Sequence, residues 1–183
     1  LYARVGVAYS YKTNEKMISY SDDQIRQIIQ ESFKNQKVSI LAPVIRSRKG
    51  HYRELFEQIG KQGFVKVRID GVIENIIPGM RLDRYKNHDI EIVVDRMKID
   101  EKTVNYKRLK DSITTAMNQG NDVIMVINEN DEKPRFFSRN LMCPSSGLSY
   151  PNPEPNNFSF NSPKGACNNC NGIGNLYKVN ENK

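Results

Sequence analysis

Hydrophobic residues early in the chain recur at helical spacing after a capping signal. Ser21 is followed three residues later by Gln24, a pattern in which each side chain can bond the other residue's backbone N–H. The helix that this pattern starts is expected to end near Asn35. Its apolar face consists of Ile25, Ile28, Ile29 and Phe33. The sequence therefore predicts one amphipathic helix before the first strand.

A strand and a second helix follow, joined by a basic turn. Residues 38–45 are almost all apolar and predict a buried strand. Pro43 places the later half of that strand at an edge or an end, because proline has no N–H to donate. Residues 46–50 predict a basic turn. Apolar residues between positions 52 and 59 then keep helical spacing, and Gly63 is placed to end the helix.

The middle of the chain predicts a hairpin and further strands. Residues 64–69 alternate between apolar and polar, and Asp70-Gly71 is a strong signal for a tight turn into the next strand. The remaining predicted elements are strands over 89–99, 122–127 and 135–138 and a helix over 106–118. Because hairpins are interleaved with helices, we expect an α+β fold. Its mixed, largely antiparallel sheet is covered by two or three helices.

The composition changes beyond residue 140, where prolines and glycines accumulate and hydrophobic periodicity disappears. Such a segment needs another anchor, either a metal or the rest of a larger protein. We therefore expect three parts: a connecting segment with one helix over 1–37, an α+β domain over 38–139, and an irregular, zinc-ribbon-like segment over 140–183.

The overall charge favours an acidic partner. The chain has 28 Lys and Arg residues and 21 Asp and Glu residues, so its formal charge is +7. Such a charge favours contact with nucleic acid or with an acidic protein surface. The sequence contains no apolar run of the roughly 20 residues that a membrane helix needs, and its start is unlike a secretory signal. We expect a cytoplasmic protein. Because the chain begins with Leu1 rather than Met, we also expect it to be an excised piece.

Several segments resemble one protein family in the same order along the chain. The stretch from Phe158 to Gly174, FSFNSPKGACNNCNGIG, closely resembles part of the first zinc element of the bacterial UvrA family of nucleotide excision repair. Upstream, LAPVI at 41–45, KQGFVKVRIDG at 61–71 and HDIEIVVDR at 88–96 resemble the UvrB-binding module of that family. The resemblance covers nearly the whole chain.

The resemblance implies a role in partner docking. Members of the family are dimeric ATPases that recognise distorted DNA and hand it to UvrB. This sequence has no glycine-rich phosphate loop ending in Gly-Lys-Ser or Gly-Lys-Thr, so we predict no ATPase activity here and expect ATP to be bound by the remainder of the parent protein. The 38–139 domain would then bind UvrB. The alternative is a module that binds duplex DNA directly through its basic surface and Cys-rich tail.

Candidate docking residues cluster around the predicted strands and turns. Between Arg46 and Arg68 the chain carries seven cations and two acids. Such a concentration of charge steers an acidic partner, and Arg can pair with a carboxylate in bidentate fashion. Arg68 and Asp70 are favoured because they flank a tight turn. The full predicted set is Arg46, Arg48, Lys49, Arg53, Lys66, Arg68, Asp70, Arg81 and Arg84.

The three cysteines, Cys143, Cys167 and Cys170, raise the question of zinc. Cys167-x-x-Cys170 has the spacing of one half of a tetrahedral site. By resemblance the other half starts at Cys143, but Ser146 stands where the family usually has its second cysteine. Three interpretations are open: zinc on the three thiols with a water or a histidine, a relic held by packing, or thiols that are free or oxidised. His51 and His88 are expected to be surface or packing residues.

Overall fold

The computed structural model of the protein describes residues 1–100, 106–129, 133–150 and 152–175. The helices are α1 (Tyr2–Val5), α2 (Asp22–Ser32), α3 (Arg53–Lys61) and α4 (Tyr106–Gln119), with a 3₁₀ helix at Pro155–Phe158. The strands are β1 (Lys37–Lys49), β2 (Lys66–Ile69), β3 (Val72–Asn75), β4 (Asn87–Lys98), β5 (Val123–Asn128), β6 (Pro134–Ser138), β7 (Leu141–Met142) and β8 (Ser149–Tyr150).

Six strands form one sheet in the order β3-β2-β4-β1-β5-β6. All pairings between its described strands are antiparallel, so the predicted α+β class is confirmed, and the expected mixed sheet is antiparallel here. Strands β7 and β8 form a separate two-stranded sheet. A bridge from Ile18 to Met142 joins the segment before α2 to β7.

The main hydrophobic core lies between the sheet and helices α2, α3 and α4. Each of these helices contributes the apolar face that its sequence spacing predicts, and the sheet contributes alternate residues from five strands. Fully buried side chains in this core include Ile25, Ile29, Phe56, Ile92, Leu109 and Ile113. Helix α2 therefore packs into the same core as the predicted 38–139 domain. The domain boundaries themselves remain a prediction.

Strand β1 is longer than the sequence predicts. It continues through Lys49, so the prediction of a basic turn at 46–50 was wrong for most of that segment. Irregularities in the pairing with β4 let the strand bend there and continue. Strand β5 pairs only with residues 38–41 of β1. Beyond that point, from Pro43 onward, β1 pairs only with β4, in line with the edge that the proline predicts.

Two local signals in the sequence are confirmed at atomic detail. The Ser21 hydroxyl accepts the Gln24 backbone N–H at 3.3 Å, and the Gln24 amide oxygen accepts the Ser21 N–H at 2.9 Å. The turn between β2 and β3 has positive φ at Asp70 (49°) and Gly71 (97°), as a tight hairpin requires. Beyond β8 the described residues contain turns and the 3₁₀ helix, and the predicted zinc-ribbon-like shape is not confirmed.

Candidate interaction surface

Cations predicted to dock a partner collect at one end of the large sheet. Arg48 and Lys49 are exposed at the end of β1, where they pair with the first two residues of β4. The β2–β3 turn at Asp70 lies at the same end, because β2 ends beside the start of β4. The topology thus places the end of β1 and the β2–β3 turn at the same end of the sheet.

The loop over residues 76–86 adds two more exposed cations, Arg81 and Arg84. The backbone N–H of Leu82 donates to the His51 carbonyl at 2.9 Å, which holds the loop beside the connection from β1 to α3. The Arg84 guanidinium lies 5.2 Å from the centre of the Tyr85 ring. We refer to Arg48, Lys49, Arg81 and Arg84 as the basic end of the sheet.

His88 braces the basic end from inside. Its Nδ1 lies 2.7 Å from a carboxylate oxygen of Asp70, and its Nε2 lies 2.9 Å from the carbonyl oxygen of Asp83. Both partners only accept hydrogen bonds, so both ring nitrogens must carry a proton. The hydrogen bond to Asp70 raises the pKa of His88, which agrees with a charged imidazolium. From the sequence we expected His88 to be a surface or packing residue. Its two hydrogen bonds, to Asp70 and to the Asp83 carbonyl, depend on the fold and could not be predicted.

Asp70 itself has an internal role. One oxygen faces His88, and the other accepts the Asp89 backbone N–H at 2.8 Å. Burial opposes the charge on Asp70, but these two hydrogen bonds lower its pKa. Asp89 in turn accepts the Ser47 N–H at 2.7 Å, which links β1 to the same cluster. Asp70 therefore organises the end of the sheet.

Arg68 is engaged within the sheet. Its guanidinium lies 3.3 Å from the carboxylate of Glu91, the residue opposite it on β4, and both side chains are largely buried. Burial raises the pKa of Glu91, whereas the charge of Arg68 opposes that rise. The sequence predicts the cation but gives no sign of its buried partner. A buried carboxylate without a partner would destabilise the fold, so the main role of Arg68 is structural.

Arg46, the first cation of the predicted set, is half-buried. Its guanidinium lies 4.7 Å from the centre of the Phe136 ring and donates to the carbonyl of Gly147 at 2.6 Å. Burial lowers the pKa of Arg46. The residue therefore joins β1 to β6 and to the turn before β8, away from the exposed basic end.

The other two predicted cations occupy different surroundings. Arg53 is exposed at the start of α3 and pairs with Glu57 one turn later at 3.0 Å. Lys66 is half-buried at the first position of β2, opposite Asn75. Neither belongs to the basic end, which contains four of the nine predicted docking residues.

A groove on the sheet face opposite the helices contains residues outside the predicted docking set. Arg96 of β4 pairs there with Glu129 at 2.6 Å, and Val72, Ile73 and Ile127 supply apolar walls. The partner of Arg96 follows β5, 33 residues further along the chain. The groove reaches the β2–β3 turn and so continues the basic end along the open face.

The three cysteines separate into two environments. Cys143 is buried and contacts Thr13, Glu15 and Ser145, whereas Cys167 is exposed and Cys170 is partly exposed. Within the described residues, no group of three or more His, Cys, Asp and Glu side chains is arranged to hold a metal ion. The zinc site on Cys143, Cys167 and Cys170 remains a prediction.

Comparison with known proteins gives the family. The model of the UvrA interaction domain matches residues 21–130, more than half of the chain. The chain belongs to the UvrA interaction domain family. This match includes α2, the whole basic end and the groove, and it stops short of all three cysteines.

Curated relatives agree with the family assignment. The UvrABC system protein A of Methanothermobacter thermautotrophicus is 36% identical over 181 residues, which is 98% of this chain and 19% of the relative. The protein of the same name from Clostridium perfringens is 40% identical over 182 residues, which is 99% of this chain and 19% of the relative. The UvrABC system protein A of Staphylococcus epidermidis is 42% identical over 181 residues, which is 98% of this chain and 19% of the relative. The chain thus spans about a fifth of the length of these relatives.

Across the parts of the chain that the structure describes, no helix combines the length and the apolar character that crossing a bilayer requires.

Proposed function

We propose that this interaction domain docks UvrB during nucleotide excision repair, and that the basic end of the sheet is the contact surface. The observation that carries the proposal is the convergence of four exposed cations, two from the end of β1 and two from the 76–86 loop of the matched domain. The ATP-dependent and DNA-handling steps of the process belong, in this proposal, to parts of a longer UvrA protein.

The distribution of ion pairs supports this choice of surface. Arg68, Arg96 and Arg139 each face a carboxylate of the same chain. Among the described residues, Arg48 and Lys49 face none. Cations that already satisfy an internal carboxylate have less to gain from a partner. Those at the basic end are available to an acidic surface.

The bracing beneath the basic end supports docking by a preformed surface. Asp70, Asp89 and His88 fix the hairpin turn, the β1 backbone at Ser47 and the 76–86 loop to one another. A surface that is ordered before binding pays less conformational entropy on association. The long cationic side chains remain free to adjust on this fixed backbone.

The test is a comparison of two ligands, UvrB and duplex DNA, at increasing salt concentration. We expect a complex with UvrB at low salt that weakens as salt rises, because charge steering is screened over about 10 Å at 0.1 M salt. If only duplex DNA bound, with an affinity that fell linearly on a log-log salt plot, the DNA-binding alternative would replace this proposal. Failure of folded UvrB to bind under any salt condition would also reject it.

A further inference from the structure

The surroundings of Cys143 point to a cross-link that needs no metal. The thiol is fully buried and lies at the start of the tight turn over residues 143–148. The backbone closes that turn on both sides: the Gly147 N–H donates to the Cys143 carbonyl at 2.9 Å, and the Cys143 N–H donates to the Leu148 carbonyl at 2.9 Å. This shape fits a zinc half-site, so the donors around the sulfur decide whether a metal fits.

Glu15 collects the polar groups around this turn. A single carboxylate oxygen, Oε2, accepts from the Ser145 hydroxyl at 2.6 Å, from the Cys143 thiol at 3.3 Å and from the Thr13 hydroxyl at 3.4 Å. The Thr13 hydroxyl also contacts the Cys143 sulfur at 3.2 Å. The ordinary pKa of a glutamate lies well below neutral pH, so this carboxylate is charged.

These donors do not fit a structural zinc ion. Such a site takes four ligands from Cys, His, Asp and Glu. Among the described residues, the hydrogen-bonding neighbours of this thiol and this carboxylate are the hydroxyls of Thr13, Ser145 and Ser146. Cys167 and Cys170 form no metal-binding group with Cys143 in the described part of the chain. These side chains form a hydrogen-bonded cluster rather than a set of zinc ligands.

We infer that the Glu15 carboxylate takes the structural place of a metal ion at this turn. Glu15 and Cys143 are 128 residues apart in sequence, so the carboxylate joins the turn over residues 10–15 to the turn over residues 143–148. A charged acceptor with several donors is among the stronger hydrogen-bonded arrangements. One carboxylate thus cross-links the segment before α2 to the segment after β7.

The cross-link reaches the interaction domain through Arg46. The guanidinium of Arg46 donates to the Gly147 carbonyl, which belongs to the same turn as Cys143. Gly147 also packs against Phe136 so closely that an added Cβ would lie 2.7 Å from the ring. The turn that Glu15 holds therefore lies against the open face of the sheet. It fixes the segment after β7 relative to the interaction domain.

Alkylation of the native protein, followed residue by residue with mass spectrometry, tests the role of Glu15. In the parent chain we expect buried Cys143 to react much more slowly than exposed Cys167. Replacing Glu15→Gln removes the charge and should speed the alkylation of Cys143 roughly tenfold, because the turn opens more often. The rate at Cys167 should not change.

Glu154→Gln provides the matched control. Glu154 is an exposed carboxylate in the tail that pairs with Lys164, so the substitution makes the same chemical change away from Cys143. It should leave the alkylation of Cys143 unchanged. Equal protection of Cys143 in the parent and in Glu15→Gln would overturn the inference.

Metal measurements give an independent test. Chelation should leave the thermal midpoint of the parent unchanged, and Cys143→Ser should leave its zinc content unchanged. A chelator-sensitive midpoint together with loss of one zinc equivalent in Cys143→Ser would overturn the inference.

The site should become a metal site when thiols are supplied. In a Cys167→Ser/Cys170→Ser background, we expect Thr13→Cys/Ser146→Cys to gain thiolate-to-cobalt absorption with Co²⁺, because three thiols would then surround Glu15. The background protein alone should lack this absorption. Absorption in the background protein, or its absence from the four-fold variant, would contradict the assigned geometry.

Discussion

Some arginine side chains in this protein make internal contacts and others are exposed to solvent, and the sequence does not distinguish the two groups. Arg68 and Arg46 look like docking cations in the sequence, but the fold sets the first against Glu91 and the second against Phe136 and Gly147. Arg48, two residues beyond Arg46, is exposed at the end of the same strand. Substitutions at these residues should therefore have different effects on stability.

The buried pair of Arg68 and Glu91 should behave as a unit. Arg68→Leu leaves Glu91 buried without its partner and should lower the free energy of unfolding by about 3 kcal/mol. Replacing both residues by Leu should cost less than Arg68→Leu alone, because no buried charge is left unpaired. Urea unfolding of the two single variants and the double variant measures the coupling. Additive losses would show that the two side chains act independently.

His88 should make stability depend on pH. A histidine whose pKa is raised by folding contributes stability that is fully present below its ordinary pKa of 6.5 and is lost as pH rises through the raised value. Deprotonation also breaks one of its two hydrogen bonds, because neutral imidazole has a single N–H. Unfolding measured from about pH 5 to pH 9 should show this loss in the parent but not in His88→Gln.

Exposed His51 supplies the control for that experiment. His51→Gln removes the other histidine of the chain and should preserve the dependence that His88 causes. If His88→Gln retained the full loss of stability above neutral pH, a different group would be responsible.

Among the helices, strands and turns, the sequence correctly predicted the features that depend on residues close to each other along the chain. The capping box at Ser21 and the Asp70-Gly71 turn were confirmed because their hydrogen bonds join residues at most three positions apart. The length of β1 was not predicted, since it depends on pairing with β4 about 40 residues later. The Glu15 cluster was missed for the same reason, because no local pattern connects Thr13 to Cys143.

The cap of α2 provides a direct test at this scale. Ser21→Ala removes the hydroxyl that accepts the Gln24 N–H and should lower the free energy of unfolding by about 1 kcal/mol. The matched control is Ser19→Ala, at an exposed position before the helix, which should change stability little. Equal effects of the two substitutions in urea unfolding would show that the cap contributes nothing of its own.

In the molecule as a whole, the fold separates a packed core of helices and sheet from a charged end. Helices α2, α3 and α4 pack on one face of the sheet, which leaves the opposite groove and the basic end accessible. Residues before α2 and after β6 join each other through β7 and Glu15. Such an arrangement suits a domain inserted into a longer protein, which presents one surface to a partner.

Charge reversal at the basic end is the most direct test of UvrB docking through this surface. Calorimetry should show that Arg48→Glu/Lys49→Glu weakens UvrB binding roughly ten- to hundredfold, because two glutamates would replace exposed cations and repel an acidic partner. Lys107→Glu/Lys110→Glu makes the same change in charge on exposed positions of α4 and should bind nearly as the parent does. Equal affinities of the two variants for UvrB, whether both are unchanged or both are weakened, would contradict docking through the basic end.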